Sequence, residues 1–285
     1  MSTQSPAQSS FSNALDNSKD ERDRTMVIRQ VTPDITTFSV PFVRGGVIAL
    51  GGRSTAVRLP NSDLFLYVST PHTPATSETI ANLGGQVRWL VTPDGEHTMY
   101  IEEFAKAYPN AQPIGVTRVK DKKPGIKWAG LFGLGGENQT YGFEPHITLA
   151  QVSAHANHEL VAIHHPSGTL IQGDMLFNLP PTEQYSRAGG LPTLSKLFGG
   201  GKAMSPSGGV HGPVVNLITK DSESVPTRDS VHGSDSVGRD GGVRLMKKEL
   251  IPINAAKWDR IIPCHGDVIE SGGKVEWAKV WGKYV

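Results

Sequence analysis

Residue types that bind metals follow four separate strand-like segments of this chain, and this arrangement limits the folds it can adopt. The four groups are TPDGEH (92–97), HANH (155–158), QGD (172–174) and PCHGD (263–267). In layered α/β proteins, the loops at one edge of a sheet meet in a common crevice. Histidines and carboxylates gathered there suit a borderline divalent ion. The sequence therefore predicts a metal site built from strand ends.

Strand-like and helical segments alternate along much of the chain. Residues 36–69 predict a meander of three short strands, because β-branched runs are broken there by glycine pairs and Pro60-Asn61-Ser62. The later predicted elements are helices at 77–85, 99–109, 243–258 and 272–285 and strands at 86–92, 111–116, 146–154, 159–165, 169–177 and 259–267. This order predicts an α/β fold whose helices connect strands.

Two segments differ in composition from the rest of the chain. Residues 1–25 are polar and lack an apolar core, which predicts a disordered tail. Residues 185–242 are rich in Gly, Ser and Asp, which predicts a long ordered insertion or a flexible lid near the site. We expect 26–285 to form a single domain that carries this insertion.

Charge and cysteine content exclude several classes of protein. The 285 residues include 28 Lys and Arg and 27 Asp and Glu, and this near-neutral balance argues against nucleic-acid binding. No run of 18 apolar residues is present, so we expect no membrane partner. The single cysteine, Cys264, and a start that lacks a secretory signal predict a cytoplasmic protein. The expected partner is a small-molecule substrate, and the sequence leaves the oligomeric state open.

The order of the four groups resembles the metallo-β-lactamase fold superfamily. Its hallmark is H-x-H-x-D-H after a strand, then a His in a G-H-T-type loop, an Asp in a strand ending T-G-D, and a His in a strand ending G-H. The matching segments are Thr92-Pro93-Asp94-Gly95-Glu96-His97, Ala154-His155, Gln172-Gly173-Asp174 and Cys264-His265-Gly266. The resemblance covers 36–180 and 243–285.

Within that superfamily, the chain looks closest to an uncharacterised branch with a degenerate first metal-binding box. In that branch the first box has the form P-N/D-x-x-H and precedes an E-F…Y-P helix, and a later segment reads H-x-P-S-x-T-L-I-x-x-D. The chain has Pro93-Asp94…His97, then Glu103-Phe104…Tyr108-Pro109, then HHPSGTLI (164–171) followed by Asp174.

The resemblance implies a four-layer αββα sandwich with a metal cleft between the ends of its sheets. The superfamily's first metal site would use positions 92, 94 and 155. Thr92 and Asp94 stand there in place of two histidines, while His155 is retained. The resemblance therefore implies that the first metal site is impaired, with Asp94 still able to bind a hard ion.

The second metal site is implied to be nearly intact. It would use Glu96 in place of Asp, His97 and His265, with Asp174 as the bridging carboxylate. The cofactor expected is one divalent metal ion, with zinc favoured and iron or manganese as alternatives, because carboxylates in the set bind harder ions than a pure histidine set does.

Several of these residues have other interpretations. Asp94 has the chemistry of a metal ligand or a general base, and it is also a residue type typical of a turn before glycine, here Gly95. Glu96 suits either a ligand or a position outside the ligand shell, and His158 competes with His155. His164 and His165 are less favoured as ligands, and Cys264 is expected to be a small buried residue rather than a ligand. His211 and His232 are expected to be lid or surface residues. The cations of 118–128 are expected to form a solvated loop, with a rim for an anionic substrate as the alternative.

Three functions are compatible with this set of residues. The first is a metal-dependent hydrolase of a small-molecule ester, lactone, thioester or amide, in which Asp94 or Glu96 orients or deprotonates a metal-activated water. The second is an iron-dependent oxidoreductase of the same fold, since oxygen ligands favour iron. The third is a non-catalytic binding protein that keeps the fold around a decayed site.

Overall fold

Two β-sheets lie face to face in the computed structural model, which describes residues 6–197, 199–212 and 239–284. The strands are β1 (Val27–Thr32), β2 (Ile35–Val40), β3 (Val43–Arg44), β4 (Ile48–Ala49), β5 (Gly52–Arg58), β6 (Leu64–Tyr67), β7 (Val87–Val91), β8 (Gln112–Val116), β9 (Gly130–Phe132), β10 (Ile147–Val152), β11 (Glu159–His164), β12 (Thr169–Gln172) and β13 (Arg260–Pro263). The larger sheet has the order β1-β2-β5-β6-β7-β8-β9, and the smaller has β10-β11-β12-β13.

Helices cover the outer face of each sheet. They are α1 (Pro6–Asn17), α2 (Pro74–Leu83), α3 (Ile101–Ala107), α4 (Val119–Lys122), α5 (Thr193–Leu197), α6 (Arg239–Ala255) and α7 (Gly273–Trp281), with 3-10 turns at Glu21–Arg24, Gly136–Asn138, Gly199–Met204 and Gly282–Tyr284. Helices α1, α2 and α3 pack on the larger sheet, and α6 and α7 pack on the smaller one. The predicted four-layer αββα sandwich is therefore confirmed.

Strand β6 shows how the sequence builds these layers. Successive side chains of a strand point to opposite faces of the sheet. Phe65 and Tyr67 accordingly enter the core between the two sheets, whereas Leu64 and Leu66 pack under the outer helices. All four side chains are buried, so an unbroken apolar run here belongs to a strand covered on both faces.

The predicted αβαβ stretch forms the parallel part of the larger sheet. Strands β6 and β7 are parallel, as are β7 and β8, and α2 and α3 make the connections between them. Helix α2 begins earlier than predicted, because Oγ1 of Thr73 accepts a hydrogen bond from the amide of Thr76 and Pro74 occupies the first turn.

The region predicted as a three-stranded meander contains five strands instead. Gly45 and Gly46 both have positive φ, 59° and 74°, and they turn the short hairpin β3–β4. This hairpin is separate from the larger sheet, in which β2, β5 and β6 pair antiparallel in sequence order. The glycine pair thus creates an extra exposed hairpin between β2 and β5.

Residues 6–25 are ordered in the structure, although the sequence predicted a disordered tail over 1–25. Phe11, Ala14 and Leu15 of α1 are buried against the outer face of the larger sheet. Asp23, which is also buried, accepts hydrogen bonds from the Ser18 hydroxyl and the Ala75 amide. Three apolar side chains on one face of a short helix suffice to dock an otherwise polar segment.

Part of the predicted insertion, 213–238, lies outside the described residues. The remainder includes α5 and the 3-10 turn Gly199–Met204, which approaches β4. The assignment of 26–285 to one domain stays a prediction. In the portion that the structure describes, every helix is too short or too polar to cross a membrane.

We expect Phe11→Ala to lower the free energy of unfolding by about 3 kcal/mol, because it removes a buried aromatic side chain from the α1 contact. Urea denaturation measures this change. The matched control is Asn13→Ala on the exposed side of the same helix, for which a change below about 0.5 kcal/mol is expected. Equal values for the two variants would show that α1 does not dock.

Candidate metal centre

The side chains of His97, Asp174 and His265 converge on one point at the mouth of the sandwich. His97 lies between β7 and α3, Asp174 follows β12, and His265 follows β13. Nε2 of His97 lies 3.2 Å from Nε2 of His265. Oδ1 of Asp174 lies 3.3 Å from Nε2 of His265 and 4.0 Å from Nε2 of His97. Across the described residues, these three form the one group of His, Cys, Asp or Glu side chains close enough to share a metal ion.

Both histidines are held through their Nδ1 atoms. Nδ1 of His97 lies 2.8 Å from Oδ2 of Asp94, and Nδ1 of His265 lies 2.6 Å from the carbonyl oxygen of Gly51. Because these oxygens only accept, each Nδ1 carries the proton and each Nε2 can keep its lone pair. A carboxylate or carbonyl partner of this kind commonly fixes the tautomer and orientation of a metal-bound histidine.

The three converging atoms fit a divalent ion. Atoms separated by 3.2, 3.3 and 4.0 Å share a point about 2.1 Å from each, which is the usual length of zinc bonds to histidine nitrogen and carboxylate oxygen. Oδ1 of Asp174 is buried and accepts no hydrogen bond from a described residue. Three ligands with one side open to a cavity are typical of catalytic rather than structural zinc sites.

Asp174 is fixed by groups from two neighbouring segments. Its Oδ2 accepts a hydrogen bond of 2.6 Å from Nδ2 of Asn157, which leaves Oδ1 directed at the histidines. Its backbone amide donates to Oε2 of Glu159 over 3.0 Å, and the amide of Gly173 donates to Oε1 of the same carboxylate over 2.5 Å. The carboxylate of Glu159 therefore holds the loop on which Asp174 lies.

The charges of this cluster shift the pKa values of its members. Burial acts to lower the pKa of His97, but the carboxylates of Asp94 and Asp174 outweigh burial and raise it to about 10. Burial acts to raise the pKa of Asp174, but His97 and His265 hold that pKa below its usual range. In the metal-free protein a proton on His97 thus balances part of the negative charge that a cation would otherwise neutralise.

Glu159 is a residue of the site that the sequence analysis missed. It is fully buried, and burial together with Asp94 and Asp174 raises its pKa well above the usual range. The signal was present, since this glutamate begins the otherwise apolar strand segment ELVAI. A charged residue at the start of a buried strand usually has a fixed partner.

The remaining predicted site residues do not reach the convergence point. Asp94 is buried and fully engaged, because its Oδ1 accepts from the amides of Glu96 and His97 and its Oδ2 contacts His97. The side chain of Glu96 is 52% exposed and pairs with Lys122 over 2.8 Å at the rim. Thr92 is buried, and its Oγ1 has no hydrogen-bond partner within the described chain.

His155 and His158 lie in the loop between β10 and β11, beside the cluster. Nδ1 of His155 accepts from the amide of Asn157 over 3.3 Å, while its buried Nε2 has no partner among the described residues. Burial lowers the pKa of His155, and burial, Arg118 and His155 lower that of His158 to about 4. Both rings are thus neutral near pH 7, and neither belongs to the three-residue group.

The cationic segment 118–128 supports the first metal box. Nζ of Lys122 donates to the carbonyl oxygen of Gly95 over 2.7 Å as well as to Glu96, and Arg118 donates to the carbonyl oxygen of Ala156. These bonds tie the loop after β8 to the two loops that flank the cluster. The segment is therefore more than the solvated loop favoured by its composition.

Two other predicted residues lie away from the converging atoms. Cys264 is buried with its Sγ directed at the carbonyl oxygen of Arg53 over 3.4 Å, which agrees with a small buried residue. His211 was predicted in the lid or on the surface, but it is buried and its Nε2 accepts from the amide of Phe177 over 2.8 Å. His232 lies outside the described residues.

A second set of contacts holds the loop that carries His265. Arg53 is buried and donates two hydrogen bonds of 2.6 Å, to the carbonyl oxygens of Pro263 and Gly266. Gln184 bonds the same loop at Cys264 and Gly266. The ring of Phe177 stacks on His265 with 5.3 Å between centroids. Because the loop is fixed from several directions, the His265 ring has little freedom.

The three converging side chains open into a cavity of about 140 Å³. Its other lining residues lie at the end of β2 and before β3, in β3, at the start of β5, after β6 and before α3. They are Val40, Pro41, Phe42, Arg44, Gly52, Ser69, Glu96, Met99 and Tyr100. The mouth of the sandwich thus joins a candidate metal centre to a small cavity that can admit a ligand.

Comparisons with known proteins identify the fold. No sequence profile of a known protein family matches the chain, and no curated protein matches it in sequence. Among solved structures, it is similar to the metallo-β-lactamase FIM-1 from Pseudomonas aeruginosa in its mono-zinc form, at 12% identity over 91% of this chain and 96% of that one, with a TM-score of 0.51.

Two further structures share the same architecture. The metallo-β-lactamase from Pontibacter korlensis is 9% identical over 91% of this chain and 98% of that one, with a TM-score of 0.50. A mutant of the flavo di-iron protein from Thermotoga maritima is 10% identical over 91% of this chain and 61% of that one, with a TM-score of 0.58. The chain therefore has the metallo-β-lactamase fold.

Proposed function

We propose that this protein is a metal-dependent hydrolase that holds one divalent ion between His97, Asp174 and His265. The observation that carries the proposal is that two Nε2 atoms and one carboxylate oxygen lie around a point about 2.1 Å from each. The substrate proposed is a small-molecule ester, lactone, thioester or amide. We propose that the protein is cytoplasmic and that it binds neither nucleic acid nor a membrane.

The residues at the superfamily's first metal site, positions 92, 94 and 155, favour a single ion in this protein. Thr92 and Asp94 stand where two histidines are expected, and Asp94 is already bonded to His97 and to two amides. Of the residues at positions 92, 94 and 155, His155 is the one that offers a nitrogen without a partner among the described residues. One imidazole does not make a second site of comparable strength. Zinc is the ion proposed, because two histidines and one carboxylate form a common catalytic zinc set.

The bound ion would supply an acidified water and polarise the carbonyl of the substrate. Asp94 keeps His97 in the tautomer whose Nε2 faces the centre. Asp94 is too fully engaged to accept a further proton, whereas Glu96 lines the cavity and has one oxygen outside its pair with Lys122. We therefore assign the general-base role to Glu96.

An iron-dependent oxidoreductase is the second candidate. Two histidines and one carboxylate with open positions are also the ligand set of many non-haem iron proteins. The fold is similar to that of a flavo di-iron protein as well as to that of metallo-β-lactamases. The metal found in the purified protein distinguishes the two candidates, since zinc favours the hydrolase and iron the oxidoreductase.

We expect the protein purified without added metal to contain about one zinc ion per chain, and His97→Ala and His265→Ala to lose it, because each removes one of three ligands. Elemental analysis measures the content. The matched control is His165→Ala, since His165 is exposed and bonded to Thr148. Iron in place of zinc would favour the oxidoreductase, and unchanged zinc in the two site variants would contradict the proposed ligands.

Zinc binding near pH 7 is expected to release about one proton per ion, because the pKa of His97 is raised to about 10 in the metal-free protein and a ligand must be deprotonated. The apparent affinity should therefore rise about tenfold per pH unit as the pH increases toward that pKa. Calorimetry in buffers of different ionisation enthalpy measures the proton count. A count near zero would contradict a proton on His97.

We expect zinc-loaded protein to hydrolyse simple esters or thioesters, and Asp174→Asn and Glu96→Gln to lower kcat/KM by at least about 100-fold, the scale of a removed ligand or general base. Initial rates with a chelator-treated sample measure the metal dependence. The control is Glu137→Gln on a surface turn distant in sequence from the four groups. Full turnover by Asp174→Asn would contradict the mechanism.

A further inference from the structure

The walls of the cavity beside the converging side chains are mostly apolar. Val40 and Pro41 at the end of β2, Phe42 before the hairpin, and Met99 and Tyr100 before α3 surround it. Phe42 and Met99 are 39% and 64% exposed, so both side chains are accessible to a group that enters the cavity. They come from separate chain segments, one before the hairpin β3–β4 and the other before α3.

Charge is confined to the rim of this cavity. Besides His97, Asp174 and His265, its charged lining residues are Arg44 and Glu96, and both are exposed. Glu96 is already paired with Lys122. A charged group carried into the apolar part, away from Arg44 and Glu96, would lose its hydration without gaining a partner, so that part of the cavity favours an uncharged group.

Volume limits the size of that group. The cavity measures about 140 Å³, and an apolar cavity of about 150 Å³ is known to hold one benzene molecule. A cavity of this volume therefore accommodates about six carbon atoms. A longer chain would extend past Met99 into solvent.

We propose that the substrate carries a compact, uncharged apolar acyl group of about six carbons, which this cavity holds while its carbonyl faces His97, Asp174 and His265. The inference rests on the proposed function and names its substrate class. The leaving group lies at the open rim, beside Arg44 and Glu96. A second carboxylate at the far end of the acyl group weakens binding, and chain length beyond about six carbons adds little affinity.

Binding of carboxylic acids that mimic the released acyl product tests the proposal directly. The probes are acetate, butanoate, hexanoate, phenylacetate and decanoate, with adipate as the match for hexanoate that carries a second charge. Calorimetry on zinc-loaded protein and on metal-free protein measures each Kd. Since a buried methylene is worth about fourfold in affinity, hexanoate, which has four more methylenes, is expected to bind roughly 250-fold more tightly than acetate. Decanoate should bind less than about threefold more tightly than hexanoate, and adipate at least about tenfold more weakly than hexanoate.

A matched pair of variants locates the acyl group. Met99→Ala is expected to weaken hexanoate binding about fivefold and to change the Kd of acetate by less than about twofold. The substitution removes an apolar side chain that lines the cavity and leaves the converging side chains unchanged. Ile251→Ala is the control, since Ile251 on α6 is 65% exposed, like Met99, and lies outside the cavity. Equal effects of the two variants would overturn the assignment of Met99.

The experiments distinguish failure of the acyl-site proposal from failure of the proposed hydrolase function. Affinities that do not depend on chain length, or adipate binding as tightly as hexanoate, would overturn the apolar acyl site even if esters are hydrolysed. The expected chain-length series without any zinc binding or hydrolysis would support the acyl site and overturn the hydrolase. An affinity for decanoate more than about tenfold above that for hexanoate would show that the cavity holds a larger acyl group than proposed.

Discussion

The hydrogen bond between Nδ1 of His97 and Asp94 determines what the rest of the site can do. It places the proton on Nδ1 and leaves Nε2 facing His265, 3.2 Å away. The same bond occupies Asp94, a residue that the resemblance assigned to another metal position. One carboxylate cannot both fix a histidine ring and serve fully as a ligand elsewhere, so the loss of a histidine at position 94 strengthens one metal position and weakens the other.

The sandwich supports this arrangement from both sheets. His97 comes from a loop of the larger sheet, whereas Asp174 and His265 follow β12 and β13, which are neighbouring parallel strands of the smaller sheet. Arg53 of the larger sheet bonds the carbonyl oxygens on either side of His265. The cluster therefore depends on how the two sheets pack, and the buried contacts between them act on the metal centre through the position of His265.

Periodicity and strand-end chemistry predicted an α/β fold with a metal site built from strand ends, whereas the resemblance to the superfamily implied the four layers and a ligand set that includes the three converging residues. The roles of Asp94 and Glu96 were not predictable, because spacing cannot tell whether a carboxylate turns toward His97 or toward Lys122. Glu159 was missed because nothing near it in sequence identifies its partners, which are the amides after β12. Helix α1 was missed because its three buried side chains are few among polar neighbours, and only contact with the larger sheet stabilises it.

X-ray absorption spectroscopy at the metal edge of the protein purified without added metal identifies the atoms that bind the ion. We predict one zinc ion with two imidazole nitrogens and one carboxylate oxygen at about 2.0–2.2 Å, and no metal–metal scattering at about 3.5–4 Å. Sulfur scattering from Cys264, a second metal at that distance, or a bound metal without histidine ligands would contradict it.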